Sequence, residues 1–192
     1  MEVERRLRRV VAEADQVDRA VYHAVAGTST PQLDRAMRRL SGAANYSRLW
    51  IATSALLAAG GPRGRVAAGS GLAAVAAASA VANLVVKPLA RRRRPDRSAE
   101  EVPLARKVEM PASRSFPSGH TASAFAFASA VGRVMPAAGV PIRCVASLVA
   151  YSRVHTGVHY PGDVFAGALI GATMADVTGE PVTRYLARRG RA

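Results

Sequence analysis

The chain has 192 residues, which is enough for one domain or two very small ones. Its 27 basic residues outnumber the 13 acidic ones, and a net charge of +14 is typical of proteins that bind nucleic acid or an anionic membrane surface. The single cysteine, Cys144, excludes an intramolecular disulfide, and its apolar neighbours predict a buried thiol. The N-terminus, MEVERRLRRVV, lacks the apolar core of a signal peptide.

The first two segments, residues 2–25 and 31–41, mix charged and apolar residues at helical spacing. Thr30 followed by Pro31 is a typical helix start. One apolar face of the first segment is formed by Leu7, Val10, Val11, Ala14, Val17 and Val21. Two interpretations remain open: interfacial helices lying on the membrane, or a solvated amphipathic pair packed on the domain.

Long uncharged runs follow. Val66–Val86 contains 21 residues without a charge, the length that crosses a bilayer core as a helix. With weaker runs on both sides, the pattern predicts an all-α bundle of five transmembrane helices, at about 45–61, 66–87, 118–135, 139–153 and 162–178. A soluble alanine-rich bundle is the alternative, because the mean hydropathy is only +0.07.

The basic residues cluster between these runs, which favours an anionic membrane surface as the partner over nucleic acid. The same pattern divides the chain into an N-terminal amphipathic segment (1–44), a transmembrane catalytic domain (45–180) and a basic C-terminal tail (181–192). Nothing in the sequence predicts the oligomeric state.

Three polar clusters lie at ends of the predicted transmembrane helices. Lys87 and RRRRP (91–95) follow the second helix, FPSGH (116–120) opens the third, and SRVHTGVHYPGD (152–163) joins the fourth to the fifth. Because an even number of crossings separates these clusters, we expect all of them on one face of the membrane.

The clusters contain the chemistry of a phosphate site. Lys87, Arg94 and Arg153 supply cationic donors, and Ser118 and Gly119 lie where a helix N-terminus favours an anion. His159 with Asp163 can form a base and its orienting carboxylate, and His120 can act as an acid toward a leaving group. Each feature alone has an ordinary explanation: a lipid anchor for the arginine run, a helix cap for Ser118, and helix-dipole compensation for Asp163.

Together, the spacings match three motifs in order. They are K-x6-R-P from Lys87 to Pro95, P-S-G-H from Pro117 to His120, and S-R-x5-H-x3-D from Ser152 to Asp163. The chain from about 45 to 178 thereby resembles the type 2 phosphatidic acid phosphatase (PAP2) superfamily of lipid phosphatases.

The resemblance implies a role for each motif residue. His159 would attack phosphorus and form a phosphohistidine, Asp163 would orient it, and His120 would protonate the leaving oxygen. The phosphate would be held by Lys87, Arg94, Ser118, Gly119 and Arg153. It implies no metal or other cofactor. His155 is outside the motifs, so we expect it to line the site or pack rather than to catalyse.

The basic residues also predict an orientation. Eight of the 27 fall on the face away from the motifs, namely Arg63, Arg65, Arg133, Arg143, Arg184, Arg188, Arg189 and Arg191. If residues 1–44 do not cross the membrane, the positive-inside rule predicts an active site on the cytoplasmic face; a crossing by this segment would reverse the orientation.

Similarity to actinobacterial members of the family favours decaprenylphosphoryl-5-phosphoribose as the substrate, with decaprenylphosphoryl ribose as the product. The substrate alternatives are a polyprenyl diphosphate, phosphatidic acid and phosphatidylglycerophosphate. The alternative functions are a lipid phosphotransferase, a soluble vanadate-dependent haloperoxidase, and a membrane protein that only binds anionic lipid.

Overall fold

The computed structural model describes residues 1–99 and 102–189, and this part of the chain is helical without any strand. The helices are α1 (Glu2–Ala26), α2 (Pro31–Ala43), α3 (Arg48–Ala59), α4 (Pro62–Ala80), α5 (Lys87–Leu89), α6 (Gly119–Val134), α7 (Pro136–His155) and α8 (Pro161–Arg189). The all-α prediction is therefore confirmed. The predicted basic tail begins within α8, and its arginine side chains lie outside the described part of the chain.

Helix α6 is the centre of the bundle, packed between α4, α7 and α8. Alanines make this possible, because most of the buried positions of α6 carry small side chains. Its one large buried ring, Phe127, contacts Trp50 of α3 with ring centroids 5.3 Å apart. Since α6 begins with the FPSGH motif, this packing fixes the start of α6 against its neighbours.

Helices α4 and α5 form one continuous rod, Pro62–Leu89, through a π-helical segment at Val81–Val86. Among the described residues it is the one helix both long and apolar enough to cross a membrane by length and composition. Helix α6, with 16 residues, is about 24 Å long, short of a bilayer core of about 30 Å. All five predicted spans coincide with helices, but the number of crossings stays a prediction.

The two N-terminal helices differ in their packing. The apolar face of α1 is exposed along its length, with Leu7 at 61% and Val11 at 67%, and only its C-terminal half is anchored, by buried Asp18 and Tyr22. Helix α2, in contrast, packs on α7. In the structure the apolar face of α1 is not packed on the domain. This finding argues against the interpretation of this segment as an amphipathic helix packed on the domain.

Two sequence expectations need correction. Cys144 is exposed on α7, not buried, because it falls on the side of that helix that faces away from α6 and the core. The helix at the first predicted span also begins later than expected, at Arg48 instead of Asn45. The reason is that Tyr46 and Ser47 adopt left-handed backbone angles, with φ of 54° and 57°. This kink places residues 45–47 beside the start of α6.

Candidate active site

The three predicted clusters meet at one end of the bundle. Lys87 lies at the end of the long α4–α5 rod, Gly119 and His120 open α6, and Asp163 lies in the first turn of α8. The starts of α6 and α8 are joined by a hydrogen bond from the Ser118 amide to the Asp163 carbonyl oxygen, 2.9 Å long. Residues separated by 76 positions in the chain therefore share one site.

His159 lies on the loop between α7 and α8, which turns at Gly157 with φ of +71°. The imidazole is buried, and its Nε2 is 3.1 Å from Nη1 of Arg94. Because a guanidinium only donates, Nε2 must be the unprotonated nitrogen, and the proton lies on Nδ1. Nδ1 is 3.4 Å from Oδ2 of Asp163, an ion-pair distance without hydrogen-bond geometry.

Burial, together with the charges of Arg94 and Arg153, lowers the pKa of His159 to about 4, although Asp163 acts in the opposite direction. The ring is therefore neutral near pH 7, with its lone pair on Nε2 directed at the cationic side of the site. This is the form of a histidine that can act as a nucleophile.

The Asp163 carboxylate is fully buried and held on both oxygens. Oδ2 accepts hydrogen bonds from Ser115 Oγ at 2.5 Å and from the Tyr160 amide at 2.9 Å, and Oδ1 accepts one from Arg92 at 3.0 Å. The Tyr160 bond is also a cap for the start of α8. Asp163 is thus fixed in place from several directions, as an orienting group must be.

Arg92 is a site residue that the motifs do not include. Besides Asp163, it pairs with Asp18 at 2.6 Å and Asp15 at 2.8 Å, both on α1, and its guanidinium lies 4.3 Å from the ring centroid of Tyr160. It therefore connects the N-terminal helix to the carboxylate beside His159. The sequence signal was only an arginine in a run of four, which could not single it out.

The phosphate-binding candidates differ in their surroundings. Arg94 donates to the Val158 carbonyl at 2.7 Å and the Ser113 carbonyl at 2.8 Å, so its side chain is held beside His159. Lys87 donates to Oδ1 of Asn83, one turn earlier on the rod, at 2.9 Å. Both cations are therefore oriented by neutral oxygens that leave their positive charge uncompensated.

The Ser118 side chain does not line the cavity that Lys87, Arg94 and His159 surround. Its Oγ is fully buried and serves as the α6 cap, accepting hydrogen bonds from the amide and hydroxyl of Thr121 at 3.4 and 3.0 Å. Gly119, next in the chain, does line the cavity. A phosphate role for Ser118 stays a prediction, and the structure shows its capping role.

His120 is oriented by a residue that sequence reasoning missed. Its Nε2 is 2.9 Å from Oδ1 of Asn45, in the kinked turn before α3. Since an amide oxygen only accepts, Nε2 of His120 carries a proton. No local pattern links these two residues, which are 75 positions apart in the chain.

Arg153 is 2% exposed and donates from Nη1 to Ser41 Oγ on α2. Its Nε has no hydrogen-bond partner among the residues that the structure describes. A buried, unpartnered donor on a cation is what an anion would satisfy.

His155 packs instead of lining the site. It is buried, with Nε2 2.8 Å from Oδ1 of Asp34 on α2, and the same oxygen accepts a hydrogen bond from Arg106 at 2.9 Å. Burial acts to raise the pKa of Asp34, but hydrogen bonds from Thr30, His155 and Arg106 outweigh it and lower this pKa. Arg106 further donates to backbone carbonyls at the end of α1, those of Val25, Ala26 and Thr28.

The functional side chains surround two adjoining cavities. The first, of about 240 Å³, is lined by Lys87, Arg94, Gly119, His120 and His159 among others. The second, of about 260 Å³, shares His120 with it and is also lined by Arg153. The first cavity thus combines a neutral buried histidine, two cations and a helix N-terminus, an arrangement suited to an anion with a tetrahedral centre.

Comparison with known proteins agrees with this chemistry. The model of the PAP2 superfamily matches residues 68–179. Decaprenylphosphoryl-5-phosphoribose phosphatase of Mycobacterium tuberculosis is 41% identical over 132 residues, which cover 67% of this chain and 68% of that protein. The enzyme of the same name from Mycolicibacterium smegmatis is 38% identical over 160 residues, 80% of each chain.

The fold has a counterpart among solved structures. The transmembrane PAP2-type phosphatidylglycerolphosphate phosphatase of Bacillus subtilis superposes with a TM-score of 0.71 at 21% identity, over 90% of this chain and 87% of that one. At this identity the likeness concerns the fold. The family match and the two mycobacterial relatives confirm what the three motifs predict: this chain belongs to the PAP2 superfamily.

Proposed function

We propose that this protein is an integral-membrane lipid phosphatase that works through a phosphohistidine on His159. The observation that carries the proposal is the state of that ring: buried, neutral, with its Nε2 lone pair beside Arg94 and its Nδ1 proton toward Asp163. Homology to enzymes named as lipid phosphatases supports the reaction class.

In the first step, Nε2 of His159 forms a bond to phosphorus as the bond from phosphorus to the leaving oxygen breaks. Lys87, Arg94 and Arg153 stabilise the charge on the remaining phosphoryl oxygens. The negative phosphoryl group also favours the doubly protonated form of His120, from which a proton passes to the leaving oxygen.

In the second step, a water attacks phosphorus and gives a proton to His120. The N–P bond breaks, and inorganic phosphate leaves with His159 restored. Asp163 compensates the positive charge that the substituted imidazole carries in between, which explains why the protein buries and fixes this carboxylate.

The substrate we propose is decaprenylphosphoryl-5-phosphoribose. The support is that two mycobacterial relatives, each matched over at least two thirds of its length, are both named as phosphatases of this lipid. We further propose a multi-pass arrangement with the site on the cytoplasmic face, supported by the apolar rod Pro62–Leu89 and the concentration of basic residues at the site end.

The test is phosphate release from a panel of lipid phosphates: decaprenylphosphoryl-5-phosphoribose, a polyprenyl diphosphate, phosphatidic acid and phosphatidylglycerophosphate. We expect His159→Ala to abolish release from every lipid that the native protein hydrolyses. The matched control is His23→Ala, which removes an exposed histidine from α1. Undiminished release by the His159 variant would contradict the proposal.

Two additions test the mechanism. Vanadate, which mimics pentacoordinate phosphorus, should inhibit, and a chelator should leave the rate unchanged. If a chelator abolished activity and added Mg²⁺ restored it, the metal-free mechanism would be contradicted.

A further inference from the structure

The N-terminal half of α1 projects beyond the rest of the protein. Every residue from 2 to 14 is exposed, a length of about 20 Å as a helix. Large apolar side chains nevertheless follow one side of α1, and five of them are each at least 60% exposed: Val3, Leu7, Val10, Val11 and Val17. A helical segment this short is only marginally stable in water by itself, so a partner that covers these side chains would stabilise it.

The apolar side of α1 continues into the lateral surface of the bundle. With 3.6 residues per turn, it lies roughly 100° around the helix axis from the buried side, which carries Asp18 and Tyr22. Its last members, Val21 and Val25, line an apolar groove of about 400 Å³. The other walls of the groove come from α7 and α8 and include Tyr151, Val154, Phe165 and Ala168.

Lipid is the partner that fits this continuous surface. In a bundle that spans the membrane, exposed apolar side chains of α8 such as Phe165 contact lipid chains, and a helix that continues this surface lies at the boundary of chains and headgroups. Residues 2–11 carry four arginines and two glutamates, and Arg5 and Arg9 lie on the far side of the helix from the apolar side chains. The projecting half therefore also carries the charge that anionic headgroups attract.

The anchored half of α1 contacts the candidate active site. Asp18 accepts a hydrogen bond on Oδ1 from the Gly162 amide, in the first turn of α8, at 2.6 Å, and its Oδ2 pairs with Arg92 at 2.6 Å. A side-chain carbon at Gly162 would lie 2.6 Å from the same carboxylate, so glycine is required for this contact. Gly162 precedes Asp163 in the chain and Arg92 binds Asp163 directly, so Asp18 holds two neighbours of the carboxylate beside His159.

We propose that α1 is an interfacial helix that couples the bilayer to the active site: its apolar side inserts among lipid chains, and this insertion keeps Asp18 in place on the start of α8. The inference rests on the proposed phosphatase function and makes Asp18 a positioning residue. When α1 leaves the bilayer, the Gly162 amide and Arg92 lose a partner, and Asp163 is held less firmly. Loss of insertion should therefore slow the chemical step more than it weakens substrate binding.

The first experiment measures insertion without measuring activity. In a Cys144→Ser background, a fluorophore is attached at Leu7→Cys or, as the control on the far side of α1, at Arg9→Cys. The protein is reconstituted in vesicles of phosphatidylcholine and phosphatidylglycerol, with or without bromine atoms on the lipid chains. We expect the brominated chains to quench the fluorophore at position 7 and to spare the one at position 9.

Equal quenching at the two positions, or none at position 7, would contradict insertion. Disulfide cross-linking of two Leu7→Cys chains, with no quenching by brominated lipid, would identify a second copy of the protein as the partner of this surface and would overturn the lipid proposal.

The second experiment measures the coupling, with decaprenylphosphoryl-5-phosphoribose in the same vesicles. Burial of one leucine or valine contributes a factor of about ten or more, so Leu7→Glu with Val10→Glu should detach α1 and lower kcat by about tenfold with little change in KM. Ala12→Glu with Gln16→Glu adds the same two acids on exposed positions away from the apolar side, and should leave both constants unaltered. Elution of each variant as the native species in size-exclusion chromatography establishes that it is folded.

Asp18→Asn identifies the route of the coupling. It should lower kcat while the fluorophore at position 7 is still quenched. Combined with Leu7→Glu and Val10→Glu, it should cause little further loss, because changes that act through one contact are not additive.

The outcomes separate the two proposals. An unchanged kcat in the Leu7→Glu and Val10→Glu protein, a rise in KM alone, or fully additive losses with Asp18→Asn would overturn the coupling and leave the phosphatase function intact. If the native protein released phosphate from none of the lipid phosphates in the panel, the proposed function itself would be wrong, whereas quenching at position 7 would still show that α1 inserts.

Discussion

At the scale of single residues, the carboxylate beside the proposed nucleophile, His159, depends on a neighbour outside the motifs. Arg92 is the cation that contacts Asp163 directly, and it is itself held by two acids of α1. If Arg92 positions Asp163, its loss should act on the chemical step more than on substrate binding.

We expect Arg92→Ala to lower kcat by about tenfold or more, as removal of a hydrogen bond between charged groups does, with a much smaller change in KM. Arg92→Lys should restore only part of the rate, because a single ammonium cannot reproduce the planar fork that reaches Asp163 and Asp15 together. Arg93→Ala, at the exposed neighbouring position, is the matched control. A rise in KM at constant kcat would place Arg92 in binding instead.

The protonation of His159 gives a second prediction at this scale. Its imidazole should titrate in the free protein with a pKa of about 4, measured by NMR of labelled histidine. Arg94→Gln removes a cation that lowers this pKa, so titration should move to higher pH; Asp163→Asn removes an anion that raises it, so titration should move to lower pH. Titration near 6.5 in the native protein would contradict the buried, neutral ring.

At the scale of helices, the site depends on close contact between α6 and α8. A side-chain carbon at Gly167 of α8 would lie 2.5 Å from the carbonyl oxygen of Ser118, and one at Gly171 would meet the carbonyl of Ala122. Glycine at these positions lets α8 approach the start of α6, and this approach brings Asp163 to the site.

Gly167→Ala should therefore destabilise the protein by about 1–3 kcal/mol, as overpacking does, because the atom it meets belongs to the backbone. Thermal unfolding in detergent measures the change. Gly69→Ala on α4 is the matched control: its added carbon meets nothing within 4 Å, so the better helix propensity of alanine should leave stability equal or raised. Equal unfolding temperatures for both variants would argue against close packing at Gly167.

The helices themselves were largely predictable from the sequence. Uncharged runs between charged clusters located α3, α4, α6, α7 and α8, and the helical spacing of apolar residues located α1 and α2. The kink at Tyr46 and Ser47 was not predictable, since neither residue type favours a left-handed conformation. The prediction for Cys144 was wrong because apolar neighbours in sequence do not say which side of α7 faces the protein.

For the site, the motif residues could be located but not their supports. Spacing identifies Lys87, Arg94, His120 and His159, whereas Asn45 and Ser115 reach the site only through folding. Ser118 is the opposite case: the spacing identifies it as a site residue, but in this structure its side chain caps the start of α6.

At the scale of the whole molecule, the proposed orientation can be tested with the one native thiol removed. In a Cys144→Ser background, cysteines at Ala99, on the face with the site, and at Arg63, at the start of α4, are both exposed on the protein. With a cytoplasmic site, a membrane-impermeant thiol reagent applied to intact cells should label the Arg63→Cys protein and spare the Ala99→Cys protein. The reverse pattern would place the site on the outer face.

The buried contact of Arg106 with Asp34 has a consequence for how the molecule opens. Arg106 closes the turn between α1 and α2, and Asp34 in turn contacts His155, four residues before the proposed nucleophile. The N-terminal helices and the end of α7 should therefore lose their structure together, as one cooperative unit in hydrogen exchange. Deletion of residues 1–44 should therefore destabilise the loop that carries His159. We expect it to inactivate the enzyme although every motif residue is still present.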